Sequence, residues 1–465
     1  MDNNQLHKRY GLFTAICMVV GIVIGSGVFF KAQDILNYTG GNMLIGILAW
    51  VIGGAVMIIC AFNFANLATK YAKVNGVVDY AEAIVGKKYA YVLGWFTSTI
   101  YFPAMTSVLA WVSARYTLLL FNPAADITSG LCMALGAFYL CLVYALNMLS
   151  PKLAGKLEVS ATVIKLIPIA TIIVIGTIFG LINGNTTEAF AAANQVAGND
   201  FSSVFAGIAA AAFAYEGWIV ATSINAELKH PKRDLPRALV IGTVIIMAVY
   251  ILYFIGLTGG ASVEVLMKEG STTAIRNLFG PIGGTVLNTF VVISCLGTLN
   301  GLMIACPRSF YSVAVRGCGP KPRVLSSVDP QTNMPANAGM LALLFCGFWY
   351  FYFCGANLTT PIFGLFSFDS SELPIITVYA MYIPLFLVFI KKEGKKNPLK
   401  NIVMPVLAVM ACLFMIFVAV YAHGIRPYLS ARANGEFAFP VLFYLIVFAV
   451  IMAIGMLFYQ KQNRE

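Results

Sequence analysis

The sequence predicts an all-α integral membrane protein with twelve transmembrane helices. Three observations carry that prediction. Of the 465 residues, 60% are hydrophobic and only 11% charged, and the mean hydropathy is +0.83; soluble domains carry about twice that share of charge. Apolar runs of about 20 residues recur, each long enough to cross a hydrocarbon core of about 30 Å. The basic residues crowd into alternate loops between those runs, as they do in chains threaded through a bilayer.

The spans fall near 11–30, 43–69, 89–120, 127–149, 156–182, 202–226, 238–259, 283–315, 337–355, 362–390, 401–423 and 438–460. The first is too long for a signal sequence and has no convincing small-residue cleavage site. It contains Val23-Ile24-Gly25-Ser26-Gly27-Val28-Phe29-Phe30, where two glycines weaken the helix at mid-membrane. The loop 70–88 carries Asn75-Gly76 and a weakly amphipathic stretch from Val77 to Val85, which fits an interfacial or re-entrant helix and a plain loop equally. Pro103 in the third span and Pro374 in the tenth are expected to kink their helices. The fifth span holds Lys165, about ten residues or ~15 Å from its start, too deep to reach water easily. The sixth span carries Glu216-Gly217 at its centre, and the loops 183–201 and 260–282 are the longest on the side opposite the basic loops.

The positive-inside rule orients the chain. Of the 30 Lys and Arg residues, 23 lie on one side; Lys31, Lys268, Arg276, Arg426 and Arg432 lie on the other, and Arg115 and Lys165 fall inside spans. Both termini are therefore expected in the cytoplasm, and the net charge of +11 is a topology signal that needs no nucleic acid. The ten cysteines are scattered without a CxxC pair and imply neither metal nor disulfide.

A backbone opened inside lipid survives only where it lines a cavity or is buried in protein. Counted along the helices, Ser26 lies ~22 Å and Tyr215 ~20 Å from opposite faces, so two interruptions sit at similar depth on antiparallel spans five apart. That spacing predicts an inverted five-plus-five repeat with a site at its interface. The outer half of the first span starts near Ser26-Gly27 with free N–H groups, which suit a carboxylate. Val23 and Ile24 end the inner half with free carbonyls, and Phe213, Ala214, Tyr215 and Glu216 bring the sixth span to the same place. Carbonyls suit an ammonium group, and a molecule with both charges close together is an α-amino acid. Lys165 either stands where a coupling ion would sit, carries a proton, or makes a structural pair with a carbonyl or Glu. Ser294, in the eighth span, is a candidate partner for its ammonium. Asp369 and Glu372, early in the tenth span, face the outer vestibule, tune substrate charge, or cap a helix. Glu158, near a helix start, is expected to face the cytoplasm.

The stretches GIVIGSGVFF, FAYEGW, AELKHPKRDLPRA and GTLNGLMIACPRSFYSVAVRG resemble, in order and over essentially the whole chain, the amino acid–polyamine–organocation superfamily. VIKLIPI, with its lysine, is similar to the L-amino acid transporter branch, which includes bacterial serine/threonine exchangers and alanine-serine-cysteine exchangers. The resemblance implies a LeuT-like fold with discontinuous helices 1 and 6, and sodium-independent exchange or facilitated uptake of neutral L-amino acids. It implies that Gly25, Ser26 and Gly27 hold the substrate carboxylate. Val23, Ile24, Phe213, Ala214 and Glu216 would hold the amine through their carbonyls. Phe213 would be an aromatic gate, and Lys165 would occupy the ion-site position. Glu216 departs from the small or neutral residue, or Asp, that many relatives carry in the FAYxGW slot, which leaves a cationic side chain open; a proton-coupled importer and an exchanger of cationic amino acids or polyamines are the alternatives.

The expected organisation is one transporter domain over 1–460, with repeat 1 at 11–182, repeat 2 at 202–390, two further helices at 401–460 and a short cytoplasmic tail at 461–465. No phosphate loop, catalytic constellation or metal cluster is present in the sequence, so an enzyme, a metal site and a bound cofactor are not expected. The expected partners are an amino acid and the bilayer, with no obligate protein partner. A sensor on a transporter fold is the remaining rival, and such proteins usually carry long signalling tails.

Overall fold

A computed structural model describes residues 11–71, 76–193, 201–219, 228–358 and 360–462. Its helices, in order, are α1 (Leu12–Val23), α2 (Ser26–Tyr38), α3 (Met43–Lys70) and α4 (Val77–Ile84), then α5 (Lys87–Phe121), α6 (Gly130–Leu149) and α7 (Pro151–Ile182). There follow α8 (Asn185–Ala193), α9 (Phe201–Ala214), α10 (Pro231–Leu257), α11 (Val263–Glu269), α12 (Ser271–Val315), α13 (Pro322–Leu325) and α14 (Ala336–Ala356). The last three are α15 (Leu373–Lys396), α16 (Leu399–Ala433) and α17 (Pro440–Gln462).

Ten of these helices are long and apolar enough to cross a membrane, and α1 with α2 makes an eleventh span bent by 47°. The expected sixth span is represented by the shorter apolar helix α9 and a turn after it; its remainder, 220–227, lies outside the described residues. The twelve expected spans are therefore met by eleven, with the twelfth only half described. The apolar faces turn outward: Phe13, Phe138, Phe348, Met410 and Leu457 are exposed, while Asn147, Asn300, Asn63 and Arg115 are buried. That inversion suits a lipid surround, in which polar groups gain only by finding partners inside the bundle.

The scaffold around the break is set by a few close helix pairs. α3 packs on α10, α12 on α5, α1 on α10, and α9 on both α2 and α3. Of the two prolines expected to kink their helices, one does so and one does not. Pro103 has no N–H for the carbonyl of Thr99, and the preceding residues Thr97–Tyr101 widen into a π turn. The indole of Trp349 donates to that freed carbonyl at 2.9 Å. Pro374, by contrast, sits in the first turn of α15, where its missing N–H costs nothing; it opens the helix, and Pro384 is the internal proline.

The loop between the second and third spans contains a docked helix. α4 buries Tyr80, Ala81 and Ile84. Arg316, just past α12, donates to Asp79 and lies 2.8 Å from Glu82, and Lys392 of α15 donates to the carbonyl of Ile84 at 2.7 Å. The loops 183–201 and 260–282 likewise hold α8, α11 and the start of α12, which kinks at Gly280 (φ 69°) before its membrane portion.

Candidate substrate site

α1 stops at Val23. Ile24 is extended (φ −68°, ψ 103°) and Gly25 carries φ −149°, ψ −143° before α2 starts at Ser26. The first turn of α2 is buried, and no side chain caps it. Four N–H groups at a helix start normally need a cap, water or a ligand. The Ser26 hydroxyl, 1% exposed, also has no hydrogen-bond partner among the described residues.

The glycines here are required by close approach. A Cβ on Gly25 would lie 2.5 Å from Oγ1 of Thr298, and one on Gly27 would lie 2.7 Å from Cα of Ala214. Thus α2 and α9 meet backbone to backbone at the break. α9 ends at Ala214, and the chain turns through Tyr215 and Glu216 to Gly217, whose φ of +108° favours glycine. The hydroxyl of Tyr250 on α10 lies 2.9 Å from the carbonyl oxygens of both Val23 and Ala214. Its single proton serves one at a time, so each carbonyl retains acceptor capacity.

The candidate residues divide by position. Val23, Ile24, Gly25, Ser26, Gly27, Phe213, Ala214 and Glu216 converge at the two breaks. Tyr215 contributes its backbone there, but its side chain leaves the site: the hydroxyl donates to the carbonyl of Trp50 at 2.9 Å and the ring packs on Trp50 and Tyr250. Phe213 is buried, with its ring 5.9 Å from Phe30. Glu216 is buried; the Tyr101 hydroxyl donates to its Oε1, and its Oε2 has no hydrogen-bond partner among the described residues.

Lys165 is 2% exposed and donates to the carbonyl of Gly21, a group that the early end of α1 leaves without its usual partner. The ammonium thus ties α7 to the inner half of the broken helix. Ser294 is not its partner: that hydroxyl is buried and without a hydrogen bond among the described residues, whereas Thr298, one turn further on, is the α12 residue against Gly25. Glu158 is partly buried rather than free at the cytoplasmic face, 3.1 Å from Nδ2 of Asn300.

Asp369 and Glu372 also part company. Both precede α15 and lie outside its helix. Asp369 accepts from the N–H groups of Ser371 and Glu372 at 2.7 and 3.0 Å, so it closes the turn that leads into the helix. Glu372, at 1% exposure, faces no open vestibule; it pairs with Lys31 at 2.7 Å and with His423 at 3.0 Å. Lys31, read from sequence as an outer loop cation, is a buried residue of α2.

Sequence reasoning missed Tyr101, Tyr250, Thr298 and His423. Each sits in a run that is apolar around it, and nothing local distinguishes Tyr250 from Tyr253. The Thr-Ser-Thr triplet before Pro103 was the one signal near Tyr101, since hydroxyls at that density mark an irregular helix.

The chain is similar to known proteins over most of its length. A family model described as amino acid permease matches residues 10–454. The serine/threonine exchanger SteT of Bacillus subtilis is 30% identical over 428 residues, covering 89% of this chain and 92% of that protein. The mouse b(0,+)-type amino acid transporter 1 is 26% identical, covering 92% of this chain and 86% of its own. The human large neutral amino acids transporter small subunit 2 is 26% identical, covering 77% and 70%. Among solved structures, MhsT in complex with L-phenylalanine superposes with a TM-score of 0.57 at 13% identity, covering 90% of this chain and all of that one; this likeness concerns the fold alone, and the fold is the expected LeuT-like one.

Proposed function

Because this chain belongs to the amino acid permease family, we propose that it exchanges small neutral L-amino acids, of the serine, threonine or alanine kind, across the cell membrane by alternating access. It is a multi-pass membrane protein and a transporter rather than an enzyme. The observation that carries the substrate class is the buried, uncapped start of α2 opposite the carbonyl end of α1 and the turn after α9. N–H groups and the Ser26 hydroxyl suit a carboxylate; the carbonyls of Val23, Ile24, Phe213, Ala214 and Glu216 suit an ammonium. Two such poles a few ångströms apart select an α-amino acid by its common part and leave the side chain to the surrounding walls.

In this reading Lys165 serves in place of a coupling ion, holding the inner half of the broken span to α7, and Phe213 closes over the bound molecule. Glu216, engaged by Tyr101, lines the side-chain end. The chain works as one domain built from two inverted repeats, 11–182 and 202–390, with both termini in the cytoplasm, an orientation supported by the crowding of Lys and Arg in alternate loops. One relative is by its name a small subunit; here we take the chain to act without an obligatory partner.

Purified protein in liposomes tests all of this. A thermal-shift screen of the twenty amino acids and common amines should single out small neutral ones. Uptake should rise with internal substrate and should not be stimulated by outside acid. Strong stimulation by outside acid would instead indicate proton symport, selective binding of arginine, lysine or polyamines would assign a cationic substrate, and inactivity of the chain alone would point to a missing subunit.

A further inference from the structure

The break does not use all the charge buried in this bundle. One to three turns along α2 from Ser26, Lys31 and Asp34 enter a second cluster. The Lys31 ammonium lies 2.7 Å from Oε1 of Glu372, 3.2 Å from Oδ2 of Asp34 and 3.3 Å from Oγ of Ser371. The other Glu372 oxygen lies 3.0 Å from Nε2 of His423. Three separate pieces of chain thus meet at one carboxylate: the outer half of the broken span, the entry to α15, and α16. His423 is 11% exposed in its side chain and sits within a π turn of α16, Tyr421–Ile425. The same Lys31 ammonium packs over the rings of Phe30 and Phe213, 4.9 and 5.2 Å from their centroids. The cluster is therefore in contact with the aromatic roof of the site.

Its charges do not balance without His423. Lys31 is opposed by Asp34, Glu372 and Asp369, and the Asp369 carboxylate is occupied by the N–H groups of its own turn. Arg115 donates to the neutral Gln33 at 2.6 Å and its charge bears on Asp34, which still leaves three carboxylates against two cations. The other titratable groups on α2, α16 and α17 near this end are Tyr38, Tyr421, Arg426, Tyr428, Arg432 and Tyr444, and α9, which packs on the π turn, brings none. A neutral imidazole gives Glu372 one ordinary hydrogen bond; an imidazolium gives it a second cation, and a charge-assisted bond is roughly twice as strong. A buried carboxylate left short of a partner is strongly destabilising.

We propose that His423 and Glu372 form a proton-binding site, and that the bound proton holds the mouth of the pathway on this side shut by tying α16 and the entry of α15 to Lys31 on α2. Imidazole ordinarily titrates near pH ~6.5, so the latch responds in the physiological range. Proton binding and closure favour each other by the same factor. With the orientation proposed above, this mouth faces outside, and outside acid slows entry of substrate. The inference rests on the transport reading for its effect on exchange, but not for its effect on stability.

The chain has three histidines, His7, His230 and His423, which makes the test clean. In liposomes, lowering the outside from about pH 8 to about pH 5.5 should slow exchange by about fivefold or more, the low end of ordinary couplings between sites. His423→Gln, or His423→Asn should the first not purify, should flatten that response, while H7Q/H230Q should keep it. In detergent, the melting temperature of the wild type should exceed that of His423→Gln by more at about pH 5.5 than at about pH 8. Amino-acid binding by His423→Gln at about pH 8 should persist; its absence in the wild type would sink the transport reading and leave the melting comparison to decide the proton site. A flat wild-type response, a response retained by His423→Gln, loss in H7Q/H230Q, or a melting difference independent of pH overturns the proposal.

Discussion

The contact between Gly25 and Thr298 offers a sharp test of the site geometry. Gly25→Ala would place a methyl group 2.5 Å from Oγ1, 3.3 Å from Cγ2 and 3.5 Å from Cβ of Thr298. The first distance is closer than packed atoms tolerate, the second is tight and the third is ordinary contact. Overpacking of this kind costs about 1–3 kcal/mol. If the strain falls on the substrate-bound arrangement, it weakens amino-acid binding by about five- to 150-fold, at 1.4 kcal/mol for each factor of ten. Thr298→Ala removes both offending atoms and loses only a bond to the carbonyl of Ser294 in its own helix. The double variant should therefore bind within about threefold of Thr298→Ala alone, a coupling as large as the original loss. Calorimetric titration of purified protein measures all four affinities. Full binding by Gly25→Ala, or no rescue by Thr298→Ala, would show that α12 does not press on the break. Gly27 is the control. Sequence alone would make Gly27→Val a probe of the carboxylate N–H groups with the fold intact. The atom facing Gly27 is the Cα of Ala214, 2.7 Å from a Cβ, which no side-chain truncation removes. Gly27→Ala should lose binding and stability together, and Ala214→Gly should not restore them.

Lys165→Ala should reduce exchange to below about a tenth of wild type, because a buried carbonyl of Gly21 loses its donor; unchanged rates in liposomes would remove Lys165 from the cycle. Glu216→Gln keeps an acceptor for Tyr101, so neutral substrates should be carried within about threefold of wild type, with any affinity for cationic ones reduced; competition uptake reads both, and a large loss with neutral substrates would mean the charge itself is needed. Trp349→Phe strands the Thr99 carbonyl that Pro103 already leaves open, at about 1–3 kcal/mol, seen as a lower melting temperature. Pro103→Ala on that background restores an N–H and should recover part of it; no recovery would show that the carbonyl is otherwise served.

What local sequence determines here is what the bilayer demands of every segment separately. A stretch surrounded by lipid must satisfy its own backbone and present apolar atoms, so the spans, the break at Gly25–Gly27 and the turn at Glu216-Gly217 are visible in composition alone. Partner choice is different. Glu372 meets Lys31 from 341 residues away, and Lys165 finds Gly21, 144 residues earlier, rather than Ser294. Tyr250 reaches both breaks, whereas Tyr215, although within the sixth-span motif, turns its ring away from them. Such outcomes depend on how far each helix is rotated about its axis, and in a helix that is apolar on all sides no amphipathic pattern encodes that rotation. Packing sets it instead: the backbone contact of α2 with α9, and the fit of α12 against Gly25, decide which side chains face the cavity and which are left to hold the bundle.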